Sequence, residues 1–351
     1  MTTLATANRS AGSMHTTDRI VPFTAGDGLQ STLINVHGDA APTKGPVLLV
    51  HGAGVRAEIF RAPVDRTLVD VLVDEGYDVW LENWRASIDL APNLWDLDQA
   101  AKFDHPAAVQ TVVRETGADS IQAVIHCQGS TSFMMSAVAG LVPEVRTIVS
   151  NAVSLHPVIP TVARLKIGAM VPLTRGIIRY LDPRWGLHQP GLKEKLIHAF
   201  VMATHHECDN AVCRWASFTY GVGFPTLWRH ENLDDATHEW LKQEFGAVPR
   251  TFFEHMLRCI AAGGLISTGR VEGLPSSFVA ERPKTDARFA LFAGERNRCF
   301  LPISQTRTHH FLESHGVPAT LHVIPGYGHL DIFMGHRAAE DVFPLMLQEL
   351  D

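Results

Sequence analysis

Apolar positions along the chain follow two different rhythms, and the change between them divides it. From Arg19 onward, short β-branched runs alternate with helix-spaced stretches, the pattern of βαβ units that build a mostly parallel sheet. The runs Arg19 to Phe23 and Leu29 to Val36 flank Ala25-Gly26-Asp27-Gly28, whose turn residues predict an antiparallel hairpin. Pro46 to Val50 is continuously apolar, as a strand buried on both faces must be. Tyr77 to Leu81, Ser120 to Ile125 and Arg146 to Ser150 read as further strands, with helices at about Pro63 to Asp74, about His105 to Glu115 and from Gln128. Between Val153 and Ser277 the alternation stops, and Leu, Trp, His and Phe fall at helical spacing. It resumes with strands at Ala287 to Phe292 and Ala319 to Ile324, a helix from Ile303 to Ser314, and a last helix from about Ile332 to Leu350. The expectation is an α/β core of residues 19–152 and 278–351 and an inserted helical cap at 153–277. Residues 1–18, small and polar without period, read as a flexible leader.

Composition narrows the function. A net charge of −7 and the absence of long Lys/Arg runs leave no basic stripe for a phosphate backbone, so nucleic acid is not an expected partner. Five cysteines, an odd number, with no basic-then-apolar signal segment at the start, fit a reducing cytoplasm. No apolar run is long enough to cross a bilayer. The stretch Val162 to Leu181 carries Arg164, Lys166, Arg175 and Arg179, a pattern that suits either a cap helix lining an acyl site or one lying on a lipid surface. His205, His206, Cys208 and Cys213 gather metal-ligating groups, but without paired CxxC spacing or a matching second half; no metal or cofactor is expected.

Two segments carry chemistry. Ile121 to Ile125 runs straight into His126-Cys127-Gln128-Gly129-Ser130, an apolar strand turning through small residues into a helix. Such a turn lifts a nucleophile above the sheet and aims the first helical N–H groups at a reacting carbonyl. Here the nucleophile is Cys127, and Ile125 stands where a glycine is usual. A thiol at a helix N-terminus is expected to have a lowered pKa. Pro325-Gly326-Tyr327-Gly328-His329-Leu330-Asp331 places His329 in a glycine-rich loop after the last strand, where it can return over the thiol as general base and acid. Asn297, after the strand Ala287 to Phe292, occupies the register of a third member, its side-chain oxygen free to accept the imidazole N–H; Glu295 and Asp331 are the alternatives. The oxyanion hole is expected from the backbone N–H groups of Gln128 and of Ala53 in His51-Gly52-Ala53-Gly54.

With these residues in hand, the chain resembles the acid lipase branch of the α/β hydrolases. Gly76-Tyr77-Asp78-Val79-Trp80-Leu81-Glu82-Asn83-Trp84-Arg85, the Cys127 turn and Gly328-His329-Leu330-Asp331 carry the likeness. It is similar in particular to the hydrolase-like region joined to cholesterol-oxidase-type flavoenzymes, which shares the His-Cys-x-Gly-Ser turn, the asparagine and the Pro-Gly-Tyr-Gly-His-Leu-Asp segment; no flavin-binding glycine fingerprint stands in this chain. The resemblance implies an α/β-hydrolase fold of eight strands with a lipase-like cap, and a hydrophobic acyl or sterol-like substrate. The expected reaction is cleavage of an ester, thioester or lactone through a thioester on Cys127. Acyl transfer or cyclisation to an alcohol, amine or thiol is one alternative, and a non-catalytic hydrophobic-ligand module is another.

Overall fold

The computed structural model describes residues 16–206, 208–222 and 226–351. Most of the expected leader, residues 1–15, lies outside the described residues; Thr17 and Asp18 already belong to the first strand. The strands are β1 Thr17–Thr24, β2 Gln30–His37, β3 Pro46–Val50, β4 Asp78–Asn83, β5 Ile121–His126, β6 Val145–Asn151, β7 Tyr180–Leu181, β8 Val248–Pro249, β9 Arg288–Gly294 and β10 Ala319–Ile324. Eight of them form one sheet in the order β1-β2-β4-β3-β5-β6-β9-β10, with β7 and β8 a separate antiparallel pair. Only β2 runs against the rest, pairing antiparallel with both β1 and β4. The chain thus has the α/β-hydrolase architecture. The central strands are apolar because helices cover both faces: all five residues of β3 are buried, whereas edge strand β10 keeps most of its side chains partly accessible.

Helix ends follow local chemistry. The first helix starts at Leu68 instead of Pro63, because Thr67 and Asp70 form a capping box that fixes its N-terminus. The expected last helix is three short ones, Asp331–Met334, Ala338–Asp341 and Phe343–Leu350. Gly335 is extended after the first, and Pro344 can only enter a first turn, since its ring would meet the carbonyl of Glu340 in a continuous helix. The loop after β4 is pinned from both sides. Arg85, almost wholly buried, forks onto Asp104 and Asp27, and the neighbouring Trp84 indole donates to the His51 carbonyl at 2.9 Å.

Between β6 and β9 the chain forms helices Thr161–Leu173, Leu192–Thr204, Ala211–Tyr220, Asp235–Trp240 and Arg250–Ala262. Its later part shares the main core through Val212, Leu227, Trp228, Phe245 and Phe252, while Val201, Trp215 and Phe218 form a small core of their own. Its outer face is apolar: Leu165, Leu173, Leu192 and Leu196 are each at least 65% exposed.

Candidate active site

The strand β5 ends at His126 and the helix Cys127–Val138 begins on the next residue. Cys127 makes that turn with φ +55°, a left-handed conformation that side chains rarely adopt and that strain-bearing functional turns tolerate. The turn closes only because its neighbours are small. A Cβ on Gly129 would stand 2.2 Å from the His51 carbonyl oxygen, and one on Gly52 would stand 2.9 Å from the Cys127 Cβ. This close approach brings the backbone N–H groups of Gln128 and Ala53 to the Cys127 thiol, where both act to favour its ionised form. Two donors, one from the helix N-terminus and one from the loop after β3, therefore converge on one point above the sheet.

Tyr220, from the helix Ala211–Tyr220, donates its hydroxyl to the Ala53 carbonyl at 2.8 Å and so fixes the second of those loops. Sequence reasoning missed it, because a tyrosine ending a helix in the middle of the chain carries no motif. His126 also lies closer to the chemistry than its place in the turn suggested: its ring centroid is 4.7 Å from that of His329, and its Nδ1 faces the Asn151 amide at 2.9 Å.

His329 lies beside the sulfur, with the ligating atoms of His126, Cys127 and His329 all within 4.8 Å of one another. Its backbone N–H and that of Leu330 donate to the Leu227 carbonyl at 3.2 and 2.7 Å, which anchors the loop to the helical segment. Asn297 reaches His329 Nδ1 at 3.1 Å, but with the atom opposite to the expected one. Its Oδ1 already accepts the backbone N–H groups of Cys299 and Phe300 at 3.0 and 3.1 Å, which leaves Nδ2 to donate to the imidazole. Neutral His329 is thereby held with its proton on Nε2.

The two alternatives to Asn297 hold the loop instead. Asp331, buried, accepts from Gly328 N–H at 3.0 Å and from Asn232 Nδ2 at 2.7 Å, and burial raises its carboxyl to about 6 against those hydrogen bonds. Glu295, more than half exposed, accepts from Gly326 N–H.

The expected low thiol pKa is overturned. Burial pushes the Cys127 thiol up to about 12, outweighing the two backbone N–H groups, and burial pushes His329 down to about 3. With Cys127 6% and His329 1% exposed, no water offsets the loss of hydration of either charged form. The resting pair is thiol and neutral imidazole, not thiolate and imidazolium. An apolar cleft lined by Lys166, Met170, Val171, Phe218, Thr219 and Phe253 opens within the helical segment.

The four candidates named from sequence for a metal do not all meet. His205 turns to Thr204 and His206 to the Ala203 carbonyl, whereas Cys208 and Cys213 face His230 and His238.

No family model matches the chain. Sterol esterase 2 of Saccharomyces cerevisiae is 28% identical over 133 residues, which are 32% of this chain and 25% of that protein. The gastric triacylglycerol lipase of Rattus norvegicus is 35% identical over 97 residues, 24% of this chain and 25% of its own length. The chain matches about a quarter of the length of these curated relatives. A soluble variant of monoglyceride lipase from Saccharomyces cerevisiae, solved with a substrate analogue, aligns over 98% of both chains with a TM-score of 0.60 at 15% identity, a likeness of fold. Local sequence likeness and whole-chain likeness of fold agree: the chain has the α/β-hydrolase fold, and the stretches it shares with curated proteins are those of lipases and a sterol esterase.

Proposed function

We propose that the protein is a hydrolase of hydrophobic esters, sterol-like or long-chain acyl, that works through an acyl-thioester on Cys127. The observation that carries this reading is the convergence of the Gln128 and Ala53 N–H groups on the sulfur of a residue at φ +55°, with His329 beside it. The sulfur occupies the position a substrate oxyanion needs. An incoming carbonyl oxygen takes over the two N–H groups, and the thiol turns to His329. Its proton passes to Nε2 as sulfur attacks the carbonyl carbon; the C–O bond breaks and the alkoxide leaves with that proton. Water then attacks the thioester, giving one proton to His329, and the thiolate leaves and recovers it.

Proton acceptance at Nε2 requires the His329 proton to sit on Nδ1, opposite the Asn297 amide nitrogen. Asn297 therefore holds the base back, and its amide must turn, giving up the Cys299 and Phe300 N–H groups, for attack to proceed. Those two hydrogen bonds make the turned form a minor one, at a cost of about 1 kcal/mol or more each.

We read residues 153–277 as a cap over the site, with the apolar cleft around Phe218 taking the hydrophobic part of the substrate. The exposed leucines of helices Thr161–Leu173 and Leu192–Thr204 support peripheral contact with a lipid surface. Near-complete burial of Cys127 and His329 also favours acyl transfer to an alcohol as a second reading, because a closed site withholds water from the thioester. A series of p-nitrophenyl and cholesteryl esters tests both, with and without added alcohol. Preference for longer acyl chains and loss of turnover in folded Cys127→Ala are expected. Undiminished turnover in that variant contradicts the mechanism.

A further inference from the structure

A second cluster of ligating side chains lies away from Cys127, within the helical segment. The Cys208 sulfur is 3.5 Å from His238 Nε2, and the Cys213 sulfur is 3.5 Å from His230 Nε2. All four ligating atoms lie within 4.8 Å of one another, and the two imidazoles stand nearly perpendicular, their centroids 4.8 Å apart. A tetrahedral zinc ion with bonds of about 2.3 Å to sulfur and 2.0–2.1 Å to nitrogen sets adjacent sulfur and nitrogen atoms about 3.6 Å apart. The two sulfur–nitrogen edges already have that length, so the remaining ones need to contract by about 1.5 Å at most.

The surroundings are those of a built site. Asn210 ties three of its parts together: its backbone N–H donates to the Cys208 sulfur at 3.3 Å, its Oδ1 caps the helix Ala211–Tyr220 by accepting from Val212 and Cys213, and its Nδ2 donates to the His238 carbonyl at 2.9 Å. The cap puts Cys213 in the first turn of a helix, where a thiolate is favoured. Two thiolates and two neutral imidazoles balance the charge of a divalent ion, which suits a position where Cys213 is buried and the other three residues are partly so.

We propose that Cys208, Cys213, His230 and His238 bind a structural zinc ion, with the release of two thiol protons. Four protein ligands leave no open position for a substrate or a water, so the ion fastens the fold and takes no part in the reaction. What it fastens is the segment that holds the His329 loop. Asn232, two residues after His230, donates to Asp331 at 2.7 Å and to the Gly326 carbonyl at 3.1 Å, and accepts the His336 N–H at 2.9 Å. The Leu227 carbonyl, three residues before His230, receives the His329 and Leu330 N–H groups.

The test uses the full chain as Cys127→Ala, which removes the sulfur of the other Cys–His group, purified under reducing conditions. The expected result is about one zinc per chain by elemental analysis, and on exchange with Co²⁺ the visible bands and near-ultraviolet thiolate charge transfer of a tetrahedral site. Adding Cys208→Ser and Cys213→Ser should abolish both, and chelation of the ion should lower Tm by several degrees. The Co²⁺ titration of the folded parent needs no further variant. Absence of those bands, or zinc content equal to that of the cysteine-free cluster, overturns the proposal.

Discussion

In the proposed mechanism the amide of Asn297 decides which nitrogen of His329 carries the proton, and through it how strong a base the site possesses. Because Oδ1 is taken by the Cys299 and Phe300 N–H groups, replacing only Nδ2 by an oxygen reverses the bond to the imidazole and leaves the loop as it is. Asn297→Asp should therefore move the proton to Nδ1, stabilise the imidazolium and raise kcat/KM of the native enzyme by about ten-fold or more. In Cys127→Ser, which should lose most activity, the same change should give partial rescue, so that the two substitutions are non-additive. The pH profile offers a separate check. Activity needs neutral His329, lost only as pH falls through about 3, and the thiol loses its proton only near 12, so kcat/KM of the parent should be flat from about pH 5 to 9. Asn297→Asp should bring in an acid limb at the raised pKa of His329, with activity falling as pH drops through it. An acid limb near neutrality in the parent would contradict the neutral resting pair. Cys127, His329 and Asn297 were legible as positions because a strand-to-helix turn, a glycine-rich loop and strand order mark them. The polarity of Asn297 and the pKa values were not, since they depend on two backbone N–H groups in a folded loop and on burial from distant parts of the chain.

Among the elements, the turn from β5 into its helix depends on the absence of side chains where two loops touch. Gly129→Ala would press a methyl group against the His51 carbonyl, a backbone atom that Trp84 holds in place. A loss of about 2–4 kcal/mol in denaturant unfolding is expected, and a loss below 0.5 kcal/mol would mean the loop has room to give. Tyr220→Phe removes only the bond to the Ala53 carbonyl. It should reduce kcat/KM about ten-fold with a stability change near 1 kcal/mol, measured by ester kinetics beside thermal melts. The alternation of apolar runs made the strands of the main sheet readable almost to the residue: β3, buried on both faces, has little freedom of composition, and even the partly accessible edge strand β10 keeps its expected bounds. The break in the last helix is marked by Gly335 and Pro344, but the apolar period runs on across both and masks it. The meeting of Cys208 and Cys213 with His230 and His238 could not be read from spacing, since the ligands come from four stretches that the packing of the segment brings together.

For the molecule as a whole, the proposed active site is buried, and the helices between β6 and β9 carry an apolar outer face. Leu165, Leu173, Leu192, Leu196 and Phe200 are more than half exposed, and charged residues including Arg164 and Lys195 stand among them, so the face should associate with lipid vesicles. In flotation with phosphatidylcholine–phosphatidylserine vesicles, the parent should rise with the lipid, and Leu165→Glu with Leu196→Glu should not. Equal flotation of both would assign the apolar face another role. The claim on which the rest depends is the thioester on Cys127, and intact-mass spectrometry of the protein quenched in acid during turnover of a long-chain p-nitrophenyl ester tests it most directly. The account predicts a mass increase equal to one acyl group, removed by neutral hydroxylamine, confined to the peptide containing Cys127 and absent from Cys127→Ala. Acylation of any other residue, or turnover with the same adduct in Cys127→Ala, would contradict it.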